Sequence, residues 1–262
     1  LSKKWIKFSV NLFAFLVFLC SASCAEPNKS STFISSNKRE PHGASSDTIE
    51  PGYVSKDSVL GTLISLEELI PGIFIDLKYA TEDNFMHQIL YKSVKKAYLQ
   101  KPIAYKLLKA QKRLHELNPN YHLLVYDVAR PVEIQRKMWF ALDSIPPKER
   151  GKFVSSPYNK SLHNYGCAVD LTICDKQGVP LDMGAGFDDI RKIAYSSMEN
   201  YYLSTGELTR EQVANRKLLR SVMHFAGFTG LDSEWWHFNG CSKVYARQHF
   251  KVIEREDEIF NK

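Results

Sequence analysis

Two of the eight histidines in this sequence keep chemically useful company. His163 stands in Ser161-Leu-His163-Asn-Tyr-Gly166-Cys-Ala-Val-Asp170, where Asn164, Tyr165 and Gly166 supply a turn before an alternating run. A turn followed by a strand can bring His163 and Asp170 to one point. A neutral imidazole and a carboxylate are suitable zinc ligands, and a second imidazole completes a three-ligand site with a fourth position open to water. The bare His-x6-Asp spacing carries little information by itself. His237 closes Glu234-Trp-Trp-His237. A glutamate three residues from a zinc-binding histidine can act as the base for a metal-bound water. In a regular strand those two side chains face opposite sides, so service to one site requires a bulge or bend. The competing reading is an aromatic edge strand carrying surface charge.

A third constellation is Asp127-Val-Ala-Arg130-Pro131. Arg130 could stabilise charge developing on a carbonyl oxygen, with Asp127 holding the guanidinium in place. An ordinary ion pair at a helix start explains the same residues. The other histidines (His42, His87, His115, His122, His224 and His249) show no acidic or cysteine partner at ligand spacing, and a structural role suits each.

These residues need elements to hold them. Gly72–Leu77 reads as a strand ending near Tyr79, and Tyr121–Tyr126 as another. Residues 102–117 read as a helix with Ile103, Leu107, Leu108, Gln111 and Leu114 along one side. Pro131 suits the first turn of a helix over 131–142, and residues 144–160 are polar and irregular. In Cys167–Ile173, Val169, Leu171 and Ile173 alternate with Ala168, Asp170 and Thr172, the pattern of a strand that turns Asp170 away from the apolar side. Thr209-Arg-Glu-Gln212 is a capping-box pattern opening a helix that ends near Gly227, and Phe228–Phe238 returns as extended chain. Strands and helices alternate irregularly, which favours an α+β domain with a mainly antiparallel central sheet flanked by helices.

The N-terminus reads as an address. Lys3, Lys4 and Lys7 precede an apolar run from Phe8 to Leu19, shorter than the roughly 20 residues that span a bilayer, and Ser21-Ala-Ser precede Cys24. Residues 1–24 are therefore expected to be an export signal of lipoprotein type, with acylation at Cys24 anchoring the protein to a membrane at the cell surface or in the periplasm. Cleavage near Ala25 is the simpler alternative. Residues 25–56, rich in Ser, Asn, Lys, Glu and Pro, are expected to form a flexible tether, leaving 57–262 as the folded domain. Of 262 residues, 44% are hydrophobic and 24% charged, which excludes collagen, a coiled-coil rod and a disordered chain. The net charge of +6 includes those three N-terminal lysines, so no nucleic-acid partner is expected. Five cysteines, two of them by residue 24, make no disulfide framework. Cys167 reads as a small buried residue; Cys174 and Cys241 each follow a motif of the site, and their pairing stays open for an exported chain.

Five segments in order resemble the VanX-type zinc D-alanyl-D-alanine dipeptidases, within the D-Ala-D-Ala carboxypeptidase and Hedgehog-like metallopeptidase group. They are Asp76-Leu-Lys-Tyr79-Ala-Thr-Glu-Asp83-Asn-Phe85, Asp127 to Pro131, Ser161 to Thr172, Leu181-Asp-Met-Gly184-Ala-Gly-Phe187-Asp188, and Glu234 to His237. The resemblance implies a Hedgehog/DD-peptidase-like domain in which His163, Asp170 and His237 bind one zinc. It implies Glu234 as general base and proton shuttle and Arg130 as the oxyanion's partner. Tyr79 and Asp188 match positions that hold the substrate's amino end, and Ser161 one near its carboxylate. The implied substrate is D-Ala-D-Ala or a related cell-wall dipeptide. A carboxypeptidase or endopeptidase trimming peptidoglycan stem peptides keeps the same chemistry, and a wall-binding lipoprotein without activity is the reading from another class. The sequence departs from the family at Met86-His87, where relatives have a small residue and glycine, and at Cys167, where a small residue is usual.

Overall fold

The structure is a computed structural model and describes residues 61–151 and 154–260. The expected signal, its Cys24 and the tether lie outside the described residues. In chain order the elements are β1 (Leu63–Ser65), α1 (Leu66–Leu69), β2 (Phe74–Ile75), β3 (Tyr98–Gln100), α2 (Lys101–Leu117), β4 (His122–Asp127) and α3 (Val132–Ala141). They continue with α4 (Pro147–Arg150), β5 (Ala168–Cys174), α5 (Glu199–Thr205), α6 (Arg210–Phe225), β6 (Thr229–Leu231), β7 (Glu234–Asn239) and α7 (Lys243–His249).

The main sheet has the order β2-β4-β5-β7-β6, with β2 and β4 parallel and every other pair antiparallel; β1 and β3 form a separate two-stranded ribbon. This is the expected α+β architecture. The strand read over Gly72–Leu77 contracts to Phe74–Ile75, because the chain tightens into a 3-10 turn at Lys78–Ala80 that buries Tyr79. The extended stretch read over Phe228–Phe238 is a hairpin, β6 and β7. Among the described residues no helix is long and apolar enough to cross a membrane.

α2 buries Ile103, Ala104, Leu107, Ala110, Gln111 and Leu114, the i, i+3, i+4 stripe of an amphipathic helix. Gln111 fixes the helix on the sheet: its Oε1 accepts the Leu123 amide of β4 at 2.8 Å. α6 opens as the capping box predicts, with Thr209 Oγ1 accepting from the Gln212 amide and Gln212 Oε1 accepting from the Thr209 amide. It packs on α2 and on β5. β5 is buried along its whole length, so Asp170, although it points away from Val169 and Leu171, enters a second buried layer and not solvent.

Two breaks in strand register shape the site. Between β4 and β5, Val125 pairs with Leu171 but Asp127, not Tyr126, pairs with Asp170. One extra residue in β4 makes a bulge that turns Asp127 to the same face as Asp170. Between β6 and β7, Gly230 pairs with Phe238 while Leu231 pairs with Glu234. The surplus Trp235–His237 is the bend that the Glu234–His237 spacing requires. β5 and β7 stay in regular register where Asp170 faces His237. Asp127, Asp170 and His237 therefore stand in a row across three adjacent strands.

Candidate metal centre

His163 sits in a 3-10 turn, Leu162–Tyr165, capped at both ends. Ser161 Oγ accepts the His163 amide at 3.3 Å, and Asn164 Oδ1 accepts the Ser161 amide at 2.7 Å. Gly166 closes the turn at φ +65°, and a Cβ there would lie 2.8 Å from Leu63, so glycine is needed for both reasons. Asn164 Nδ2 donates to the Arg130 carbonyl at 2.8 Å and the Arg130 amide donates to the His163 carbonyl at 3.0 Å, locking the two motifs together.

Each histidine has one nitrogen spent and one turned inward. His163 Nδ1 donates to the Val128 carbonyl at 2.7 Å, and Nε2 faces His237 Nδ1 at 3.2 Å. His237 Nε2 donates to Asn239 Oδ1 at 2.9 Å, and its Nδ1 lies 2.9 Å from Asp170 Oδ1. One ligand atom from each of His163, Asp170 and His237 lies within 4.8 Å of the others, and all three residues are buried. Burial alone pushes the Asp170 carboxyl up, but the two imidazoles hold it well below the usual carboxylate range. Burial lowers the His237 pKa, yet the Asp170 hydrogen bond and the charges of Asp170 and Glu234 outweigh it and raise the group to about 9. The cluster thus demands positive charge. Two outward nitrogens fixed by acceptors, with the remaining donors converging, is the arrangement that fits a divalent cation of zinc's preferences.

Glu234 stands beside this cluster, Oε2 3.9 Å from His237 Nδ1, with 28% of its side chain exposed to the cavity. Burial first, then the charge of Asp170, raises its pKa above the ordinary glutamate value. Arg130 is fixed on the other side. Nε donates to Asp127 Oδ2 at 2.8 Å, Nη2 lies 2.7 Å from the same oxygen and 3.3 Å from Asp170 Oδ2, and Nη1 donates to Gln135 Oε1 at 3.1 Å. Asp127 is fully buried and also accepts from the Tyr91 hydroxyl.

Tyr79 and Asp188 meet although 109 residues apart: the phenol lies 3.0 and 3.2 Å from the two carboxylate oxygens. Burial, then the charge of Asp170, pushes Asp188 up to about 8. Asp188 adopts φ +61°, a left-handed conformation that costs energy and turns the carboxyl into the cavity. The cavity, about 530 Å³, is lined by the three ligand residues, Glu234, Arg130, Tyr79 and Asp188, together with Ser161, Trp236 and Asn239.

The structure thus brings together every site residue read from the sequence: His163, Asp170, His237, Glu234, Arg130, Asp127, Tyr79, Asp188 and Ser161. It adds Asn239, Gln135, Tyr91 and the Val128 carbonyl as supports. Asn239 was within reach of the sequence, because it lies two residues from His237 and shares its strand face. The open pairing of Cys174 with Cys241 is resolved against a disulfide: Cys167, Cys174 and Cys241 are free thiols. Cys174 Sγ faces the His122 carbonyl at 3.6 Å, whereas Cys241 lies beside Cys167 because the Gly240 amide pairs with the Cys167 carbonyl. Cys167 is buried as expected. His87 occupies φ +50°, a left-handed conformation that glycine adopts without steric cost.

A buried His–Asp–His cluster with a carboxylate and a guanidinium beside it, all lining one cavity, has the parts of a metal-dependent hydrolase. Residues 60–255 match the family described as D-ala-D-ala dipeptidase, Peptidase_M15, and the chain belongs to that family of zinc metallopeptidases. It is 33% identical over 176 residues to the D-alanyl-D-alanine dipeptidase of Escherichia coli, covering 67% of this chain and 83% of that protein. It is 29% identical to the D-alanyl-D-alanine dipeptidase of Enterococcus faecium, over 71% and 94% of the two chains. A solved LD-carboxypeptidase, LdcB, superposes with a TM-score of 0.40 at 16% identity over 71% of this chain and 70% of that one.

Proposed function

We propose that this chain hydrolyses D-alanyl-D-alanine or a closely related cell-wall dipeptide, using one zinc ion held by His163 Nε2, Asp170 and His237 Nδ1. The observation that carries the reading is the Tyr79–Asp188 pair in the same cavity as the metal-ligand cluster, Glu234 and Arg130. Zinc in that position supplies Lewis acidity toward a carbonyl oxygen and lowers the pKa of a water. Asp188, with the Tyr79 phenol against it, binds the substrate's ammonium, and the arriving charge draws Asp188 into its ionised form. Glu234, exposed to the cavity, takes the proton of the attacking water and delivers it to the leaving nitrogen. Arg130 presents its guanidinium to the oxyanion, held in plane by Asp127 and Gln135. A longer chain blocked at its amino end brings Asp188 no ammonium and forgoes that ion pair, which disfavours it. The N-terminal pattern of Lys3 to Cys24 supports export and a lipid anchor at Cys24, placing the activity at a membrane surface or in the periplasm.

Metal analysis of the purified protein together with D-alanine release from D-Ala-D-Ala and from its N-acetyl derivative tests the reading. One zinc per chain and faster cleavage of the free dipeptide is the expected result. Faster cleavage of the blocked compound reassigns the chain to stem-peptide trimming, and zinc retention without turnover of either reduces it to a binding protein.

A further inference from the structure

Three cationic side chains line the cavity: Arg130, Lys160 and Lys243. Two are engaged by carboxylates. Arg130 is held by Asp127 and Asp170, and Lys160 Nζ lies 3.1 Å from Glu254 Oε1. Lys243 has no carboxylate at ion-pair distance among the described residues. Partial burial, and then the like charge of Arg247 one helical turn on, lowers the Lys243 pKa. A partly buried lysine that lines a ligand cavity and has no counter-ion among the described residues is an arrangement that an anionic ligand completes.

We propose that Lys243 is the specificity residue for the substrate's free C-terminal carboxylate. The inference rests on the dipeptidase reading given above. Its placement is set by the fold. Tyr79, which holds Asp188, follows β2, whereas Lys243 follows β7; β4 and β5 separate those strands in the sheet. The metal ligands Asp170 and His237 come from β5 and β7, and α7 packs on the 3-10 turn that carries His163. A zwitterionic dipeptide with its ammonium at Asp188 and its carbonyl at Arg130 therefore extends its carboxylate toward the Ser161–Lys243 side. Ser161 Oγ accepts from the His163 amide, which leaves its hydroxyl hydrogen available to the same carboxylate. Lysine suits a carboxylate that arrives with the substrate, because its ammonium is a compact charge with three rotatable donors on a flexible stem. With Asp188 at one end and Lys243 at the other, the site reads both termini of its substrate and so measures length.

The test compares D-Ala-D-Ala with its C-terminal amide, in the parent and in Lys243→Met and Lys243→Arg. The parent should prefer the acid, and in Lys243→Met that preference should fall by about 10- to 100-fold, carried by KM, as for loss of a charged hydrogen bond. Lys243→Arg should restore most of it. Equal loss on acid and amide gives Lys243 a structural role and overturns the proposal, as does an unchanged acid-to-amide ratio. A parent that cleaves neither compound overturns the dipeptidase reading as well, so the two failures are distinct.

Discussion

Replacing Arg130 by lysine separates charge from geometry at the oxyanion position. A guanidinium has five N–H donors. In this protein Nε donates to Asp127, Nη2 faces Asp127 and Asp170, and Nη1 donates to Gln135, which leaves one Nη1 hydrogen for the cavity. A lysine keeps a positive charge beside the buried Asp127 but has no rigid fork with which to hold that carboxylate and still reach a substrate oxygen. The loss is then that of one oxyanion donor, about 2.7–4 kcal/mol or roughly 10²–10³ in kcat. Because the oxyanion exists only in the transition state, kcat and kcat/KM should fall together while KM stays nearly constant. Arg130→Ala is the poorer probe, since an uncompensated buried Asp127 would cost about 3–5 kcal/mol of stability. The assay is steady-state D-alanine release, with zinc content and Tm measured on the same preparation. A kcat within about threefold of the parent, or a loss carried wholly by KM, refutes the assignment.

Glu234→Gln should lower kcat by about 10²–10⁴ with zinc content unchanged, and persistent turnover would place the base elsewhere. Asn239→Leu removes the acceptor that orients His237 Nε2 and should weaken zinc binding by about 10- to 100-fold in chelator competition; parent-like affinity would mean that the contact orients nothing. Glu256 accepts the amides of Lys92, Ser93 and Val94 and the Ser93 hydroxyl, so Glu256→Gln should cost about 1.5–3 kcal/mol in denaturant unfolding at neutral pH. Its folded pKa lies below the ordinary glutamate value because these hydrogen bonds outweigh its burial. The difference between parent and variant is therefore fully present above that ordinary value and narrows as pH falls through the lower folded one. A gap that widens on acidification contradicts this.

Much of the site was legible because its information is local. The turn residues around His163, the alternation from Ala168 to Ile173, the stripe of α2 and the Thr209–Gln212 cap are set by neighbours a few positions away, where backbone sterics and periodicity act. The order of the five motifs carried the family resemblance, and with it Tyr79 and Asp188, which no spacing rule connects. The requirement for a bend between Glu234 and His237 was also readable, since a straight strand places them on opposite faces.

What the sequence left open depends on strand pairing between distant segments. The bulge at Tyr126 that turns Asp127 toward Asp170 is a property of the β4–β5 ladder, and a one-residue slip would send Asp127 to the other face. The neighbour of Cys241 proved to be Cys167 because the start of β5 pairs with the end of the antiparallel β7, a fact of register and not of composition. That Lys243 has no carboxylate partner among the described residues is likewise a tertiary result: Lys160 has Glu254 and Arg130 has Asp127, and only packing decides which cation in a cavity is left for a ligand.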